Sequence, residues 1–135
     1  MILPVDVQQK VNEMFVGLNK EVLTQKREQL TLKYKTNEAV NKSVFETSDD
    51  SAVYAISRMP ATYAVVYTLL NDLIKQNKLK EISSVSDIGS GTGAGFFACR
   101  EIFEDIRVSL YERDSKMIQI FDRFETGVKV QKFDF

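Results

Sequence analysis

Glycine occupies every second position from Gly89 to Gly95, directly after an apolar run that opens at Ile82 and ends in Asp87-Ile88. A strand that turns at once into a helix needs φ values that glycine adopts cheaply, and a backbone that must approach a ligand closely has no room for side chains. The pattern predicts a strand over Ser83–Ile88, a glycine turn and a helix over Gly93–Glu104. A second apolar strand, Arg107–Glu112, then ends in an acid nineteen residues after Gly93. Strand, glycine turn, helix, strand, acid is the layout that holds an adenosine-containing ligand at the carboxyl edge of a parallel sheet. The helix N-terminus offers unpaired amides to such a ligand. Glu112 fits the acceptor of the two ribose hydroxyls.

Two cofactors compete for this layout. Gly89-x-Gly91-x-x-Ala94 satisfies the looser dinucleotide pattern, which would make the chain a nucleotide-dependent oxidoreductase. Asp87 argues against it, because a carboxylate two residues before the first glycine repels a pyrophosphate. S-adenosylmethionine carries an ammonium and a sulfonium, which an acid favours. The cofactor expectation is therefore S-adenosylmethionine, held by Asp87, Gly89, Gly91, Gly93 and Glu112. A glycine turn that binds nothing is the remaining alternative.

Elsewhere the pattern is helical first and alternating later. Pro4 opens a first helix with Val5, Val11, Met14, Phe15 and Leu18 apolar. A second helix is expected from about Glu21 to Tyr34, and residues 35–45 read as a loop. Ser48-Asp49-Asp50-Ser51 is an N-cap cluster for a helix through Ser57 that Pro60 breaks or kinks. Ala61–Gln76 is a further helix. After the second strand come a helix over Ser115–Thr126, capped by Asp114 or Ser115 and closed by Gly127, and a third strand over Val128–Phe133. The alternation implies a parallel sheet with right-handed crossovers.

Composition excludes more than it proposes. The chain has 18 basic and 19 acidic residues, so no global basic field advertises RNA binding. Residues 1–80 carry 11 Lys and Arg against 9 Asp and Glu, and residues 81–135 carry 7 against 10. The front half is the better candidate for an RNA-facing surface, and a solvated helical surface explains the same numbers. There is no histidine, which removes His-based metal ligation and Ser–His or Cys–His chemistry. The lone cysteine, Cys99, excludes an internal disulfide and is expected to be buried on the helix face against the sheet. No eighteen-residue apolar span and no secretory signal are visible. An intracellular protein without a membrane anchor is expected, cytoplasmic if bacterial and mitochondrial if eukaryotic.

With these residues in place, Asp87-x-Gly89-x-Gly91-x-Gly93 resembles the first motif of a class I methyltransferase. The preceding run, Arg58-Met59-Pro60-Ala61-Thr62-Tyr63, followed about twenty-five residues later by the glycines, narrows the likeness. It resembles a signature of the methyltransferase-like proteins associated with the ribosomal small subunit. The resemblance implies an α/β fold: the first three strands of a Rossmann-like sheet over residues 81–135, behind an α-helical N-terminal region over residues 1–80. It also implies S-adenosylmethionine binding, a role on the small ribosomal subunit or its rRNA, and an adenine contact at Asp134 that a simple strand-end acid rivals. A non-catalytic assembly protein, or a truncated remnant, is the alternative. Arg58 and Tyr63 reach either the cleft or, as the favoured reading, pin the helices to the sheet. One cysteine does not build the iron–sulfur cluster that many such proteins suggest. The chain departs from the family by stopping after the third strand. That leaves Ser83–Ile88 as an edge, which invites self-association and leaves the catalytic residues unassigned.

Overall fold

The computed structural model describes residues 2–14, 28 and 48–134. The expected helix over residues 21–34 and the loop over residues 35–45 lie outside the described residues, as do Phe15 and Leu18. The elements are α1 (Val5–Glu13), α2 (Ser48–Lys75), β1 (Ser84–Ile88), α3 (Ala94–Ile102), β2 (Arg107–Glu112), α4 (Ser115–Asp122) and β3 (Val130–Lys132). The sheet is parallel throughout, in the order β1-β2-β3. This is an α/β, Rossmann-like arrangement with a helical N-terminal part.

Register decides which side chains meet. Val85 pairs with Val108 and Asp87 with Leu110, while Leu110 pairs with Val130. Paired residues of neighbouring strands share a face, so these five side chains, with Glu112, line one side of the sheet. The helices pack on that side. Phe96, Phe97, Phe121 and Phe124 form its centre, with ring centroids 5.2 Å apart for Phe96–Phe97 and 5.4 Å for Phe96–Phe121. The same cluster of buried residues takes in Leu3, Val7 and Val11 from the front of the chain and Met59 and Tyr63 from α2. Residues on both sides of position 80 thus share one core.

Pro60 does not break the helix. Residues 48–75 form one continuous α-helix with the proline inside it. A proline there removes one backbone hydrogen bond and costs about 3 kcal/mol. Val53, Met59 and Tyr63 lie before, beside and after it, and all three are buried. Burying each contributes about 1.5–3 kcal/mol, and a break would take one half of the helix off the core. Packing on both sides outweighs the local cost. The Ser57 hydroxyl donates to the Val53 carbonyl oxygen at 2.8 Å, a bond compatible with the helical path just ahead of the proline.

Gly127 does not close α4 either. The helix ends at Asp122, and Arg123 and Phe124 continue in a tight turn that folds Phe124 into the core. The third strand is correspondingly short. Among the described residues no helix is long and apolar enough to cross a membrane.

Candidate functional site

The carboxyl ends of β1 and β2 hold the glycine loop between them. The amides of Gly89 and Ser90 both donate to the Tyr111 carbonyl, at 2.8 and 3.0 Å. The loop therefore continues the β1–β2 ladder before it enters α3. Gly89, Gly91 and Gly93 all have positive φ, at 77°, 56° and 95°. Conformation requires glycine at the first two, and packing adds to it at the third. A Cβ on Gly91 would meet nothing closer than the Met117 methyl at 3.9 Å, so its conformation, and not crowding, requires glycine. A Cβ on Gly93 would run into the Phe121 ring, so Gly93 serves the helix packing. Gly95 lies in α3 itself, and a Cβ there would stand 2.9 Å from Asp87 Oδ2. Its bareness lets the Asp87 carboxylate rest against the first turn of α3.

A cleft of about 130 Å³ opens above this loop. Asp87, Gly89, Ser90, Gly91 and Thr92 form its polar side, and Met59, Thr62 and Val66 of α2 form the other. Two polar groups in it lack protein partners. The Ser90 hydroxyl is buried with no hydrogen bond among the described residues. The Asp87 carboxylate also accepts none there, and burial, then the neighbouring Glu112, push its pKa up from the ordinary 3.8. A half-buried acid without a protein donor and a buried unsatisfied hydroxyl in one cleft suit a ligand that brings a cationic donor.

Glu112 is in the opposite condition. Its Oε2 accepts from the Gly91 amide at 2.7 Å, and its Oε1 accepts from the amides of Arg113 and Asp114 at 2.8 and 3.0 Å. The side chain is buried and ties the glycine loop to the end of β2. Two acceptances fill Oε1, while Oε2 has one lone pair left. Asp114 Oδ1 accepts from the Lys116 amide at 2.9 Å and caps α4.

Of the residues expected from sequence, Asp87, Gly89 and Gly91 come together in the cleft. Gly93 packs the start of α3 against Phe121, Glu112 holds the loop at Gly91, and Asp134 is exposed beyond β3 and is not one of the residues that line the cleft. Tyr63 is buried, stacks on Tyr67 with centroids 5.9 Å apart, and has its hydroxyl pKa raised by burial first and then by Glu101 of α3. It pins α2 to α3, while Arg58 is half-buried. Cys99 is a buried free thiol whose pKa is raised by burial and then by Asp87. Sequence reasoning missed Met59, Thr62, Val66 and Ser90. The first three repeat at helical spacing on one face, a signal hidden by dividing the helix at Pro60.

The fold and loop define a Rossmann-like α/β protein with a glycine-loop cleft at the carboxyl edge of its sheet. The family described as mitochondrial small ribosomal subunit Rsm22 matches residues 48–124, from the first turn of α2 to the turn after α4. The chain belongs to this family. No curated protein matches the chain.

Proposed function

We propose that the chain is an S-adenosylmethionine-binding, methyltransferase-like protein that works with the ribosomal small subunit. The observation that carries the cofactor part is the half-buried Asp87 carboxylate in one cleft with the buried, unsatisfied Ser90 hydroxyl. A pyrophosphate would meet that carboxylate with repulsion, and an ammonium would meet it with attraction. Asp87, Gly89 and Gly91 would hold the amino-acid end and the backbone side of the ligand. The spare lone pair on Glu112 Oε2 suits one ribose hydroxyl, and Asp134 would meet the adenine only at the rim. Bound there, the cofactor would supply an electrophilic methyl group. The family's description supports the ribosomal part.

Transfer of that methyl group to an rRNA base is one form of this reading. A second form, assembly without transfer, is favoured by Glu112, whose bonds to three backbone amides already give it a structural task. Titration calorimetry with S-adenosylhomocysteine and, separately, with NAD tests the cofactor part. Heat from the first and none from the second is the expected result, and the reverse would sink the reading. Co-sedimentation with purified mitochondrial small subunits tests the partner, and a chain that stays at the top of the gradient would refute it.

A further inference from the structure

The cleft is small and two-sided. A cavity of about 150 Å³ admits a benzene-sized group, so the cleft, at about 130 Å³, has room enough for an amino-acid tail. Its second side comes from α2, an element outside the glycine motif. Met59, Thr62 and Val66 follow one another at spacings of three and four, which puts them on one helix face. Met59 is fully buried, Val66 is half-buried, and Thr62 is exposed at the mouth. The wall is thus apolar inside and carries a hydroxyl at its rim, facing the polar wall of Asp87 and Ser90.

We infer that Met59, Thr62 and Val66 close the amino-acid end of the cofactor site and set a preference for adenosine that carries an amino-acid tail. This rests on the S-adenosylmethionine reading. The methylene chain of the tail packs on Met59 and Val66. Its ammonium donates to Asp87, and its carboxylate accepts from the Ser90 and Thr62 hydroxyls. The run Arg58–Tyr63 then has two faces with two duties: Tyr63 fixes α2 to the core, and Met59 and Thr62 shape the site.

The test uses the whole chain and two probes, S-adenosylhomocysteine and 5′-methylthioadenosine, which lacks the tail. Thr62→Val keeps shape and helix propensity while deleting the rim hydroxyl. It is expected to weaken S-adenosylhomocysteine about threefold to tenfold, the value of one hydrogen bond. Val66→Phe, which fills the cleft from a half-buried position, is expected to weaken it by more than about tenfold. Both variants should bind 5′-methylthioadenosine as the parent does, and thermal melts should confirm that they fold. Parent-like affinity of both variants for both probes overturns this inference alone, as does an equal loss for both probes. A parent chain that binds neither probe overturns the cofactor reading, and this inference falls with it.

Discussion

Asp87 and Glu112 stand near the carboxyl ends of adjacent parallel strands and face the same, helix-covered side of the sheet. Glu112 receives three backbone amides, which offset its burial. Asp87 rests against the bare Cα of Gly95, receives none among the described residues, and is pushed toward its neutral form by burial and by Glu112. One acid builds the loop, and the other has no hydrogen-bond donor among the described residues. A carboxylate near a glycine turn is therefore not by itself a ligand contact. Its own hydrogen-bond account separates scaffold from site.

The strongest challenge to this division lies between the glycines. If Gly93 is scaffold, a side chain there should damage stability and not merely binding. Gly93→Ala forces a methyl group into the Phe121 ring at a positive φ. Overpacking and backbone strain together should cost about 2–4 kcal/mol. Chemical denaturation checks it. A variant within about 0.5 kcal/mol of the parent would show that the core yields and that the contrast with Gly91 is false.

The parts of this architecture that sequence revealed are those governed by neighbours a few residues away. β2 has the expected bounds, and β1 starts one residue late, because short apolar runs between turn formers state a strand locally. Asp114 caps α4 as its position suggests. What escaped was decided at long range. Pro60 reads as a breaker until Val53, Met59 and Tyr63 are seen buried on both sides of it. Gly127 reads as a helix stop, but Phe124 leaves the helix early to pack with Phe97 at 5.2 Å. The α2 wall of the cleft was lost with the helix that carries it. Glu112 was legible as an important acid, while its three amide partners come from the loop path, which sequence does not give.

The second challenge concerns Glu112. Glu112→Gln keeps size but replaces one acceptor oxygen with an amide that faces backbone N–H donors. Loss of charge-assisted bonds in a buried place should cost about 1.5–3 kcal/mol. S-adenosylhomocysteine binding should weaken as well, since the loop loses its tie at Gly91. A thermal melt paired with calorimetry reads both. Weaker binding with unchanged stability would make Glu112 a ligand contact and not a staple, and would erase the distinction from Asp87.

The smallest stability effect, and the most telling in sign, belongs to Asp87. Its folded pKa is raised above the ordinary 3.8, so the folded protein holds that proton more tightly than the unfolded chain does. For such a group the favourable contribution is present in full below 3.8 and is lost as pH rises through the raised folded value. At neutral pH the ionised carboxylate therefore costs stability, and Asp87→Asn should melt higher than the parent. The advantage should shrink as pH falls through that window and vanish below it. Binding should move the other way. The variant lacks the charge that meets an ammonium, and S-adenosylhomocysteine affinity should drop by about tenfold or more. In the parent, the same affinity should fall as acid protonates Asp87, and the Asp87→Asn variant should fall less across that range. Melting curves and titrations at stepped pH give both signs in one series. An Asp87→Asn protein that is less stable than the parent at neutral pH would mean that the carboxylate has a partner in the fold. Asp87 would then be a second Glu112, and the cleft would lose the group that selects its ligand.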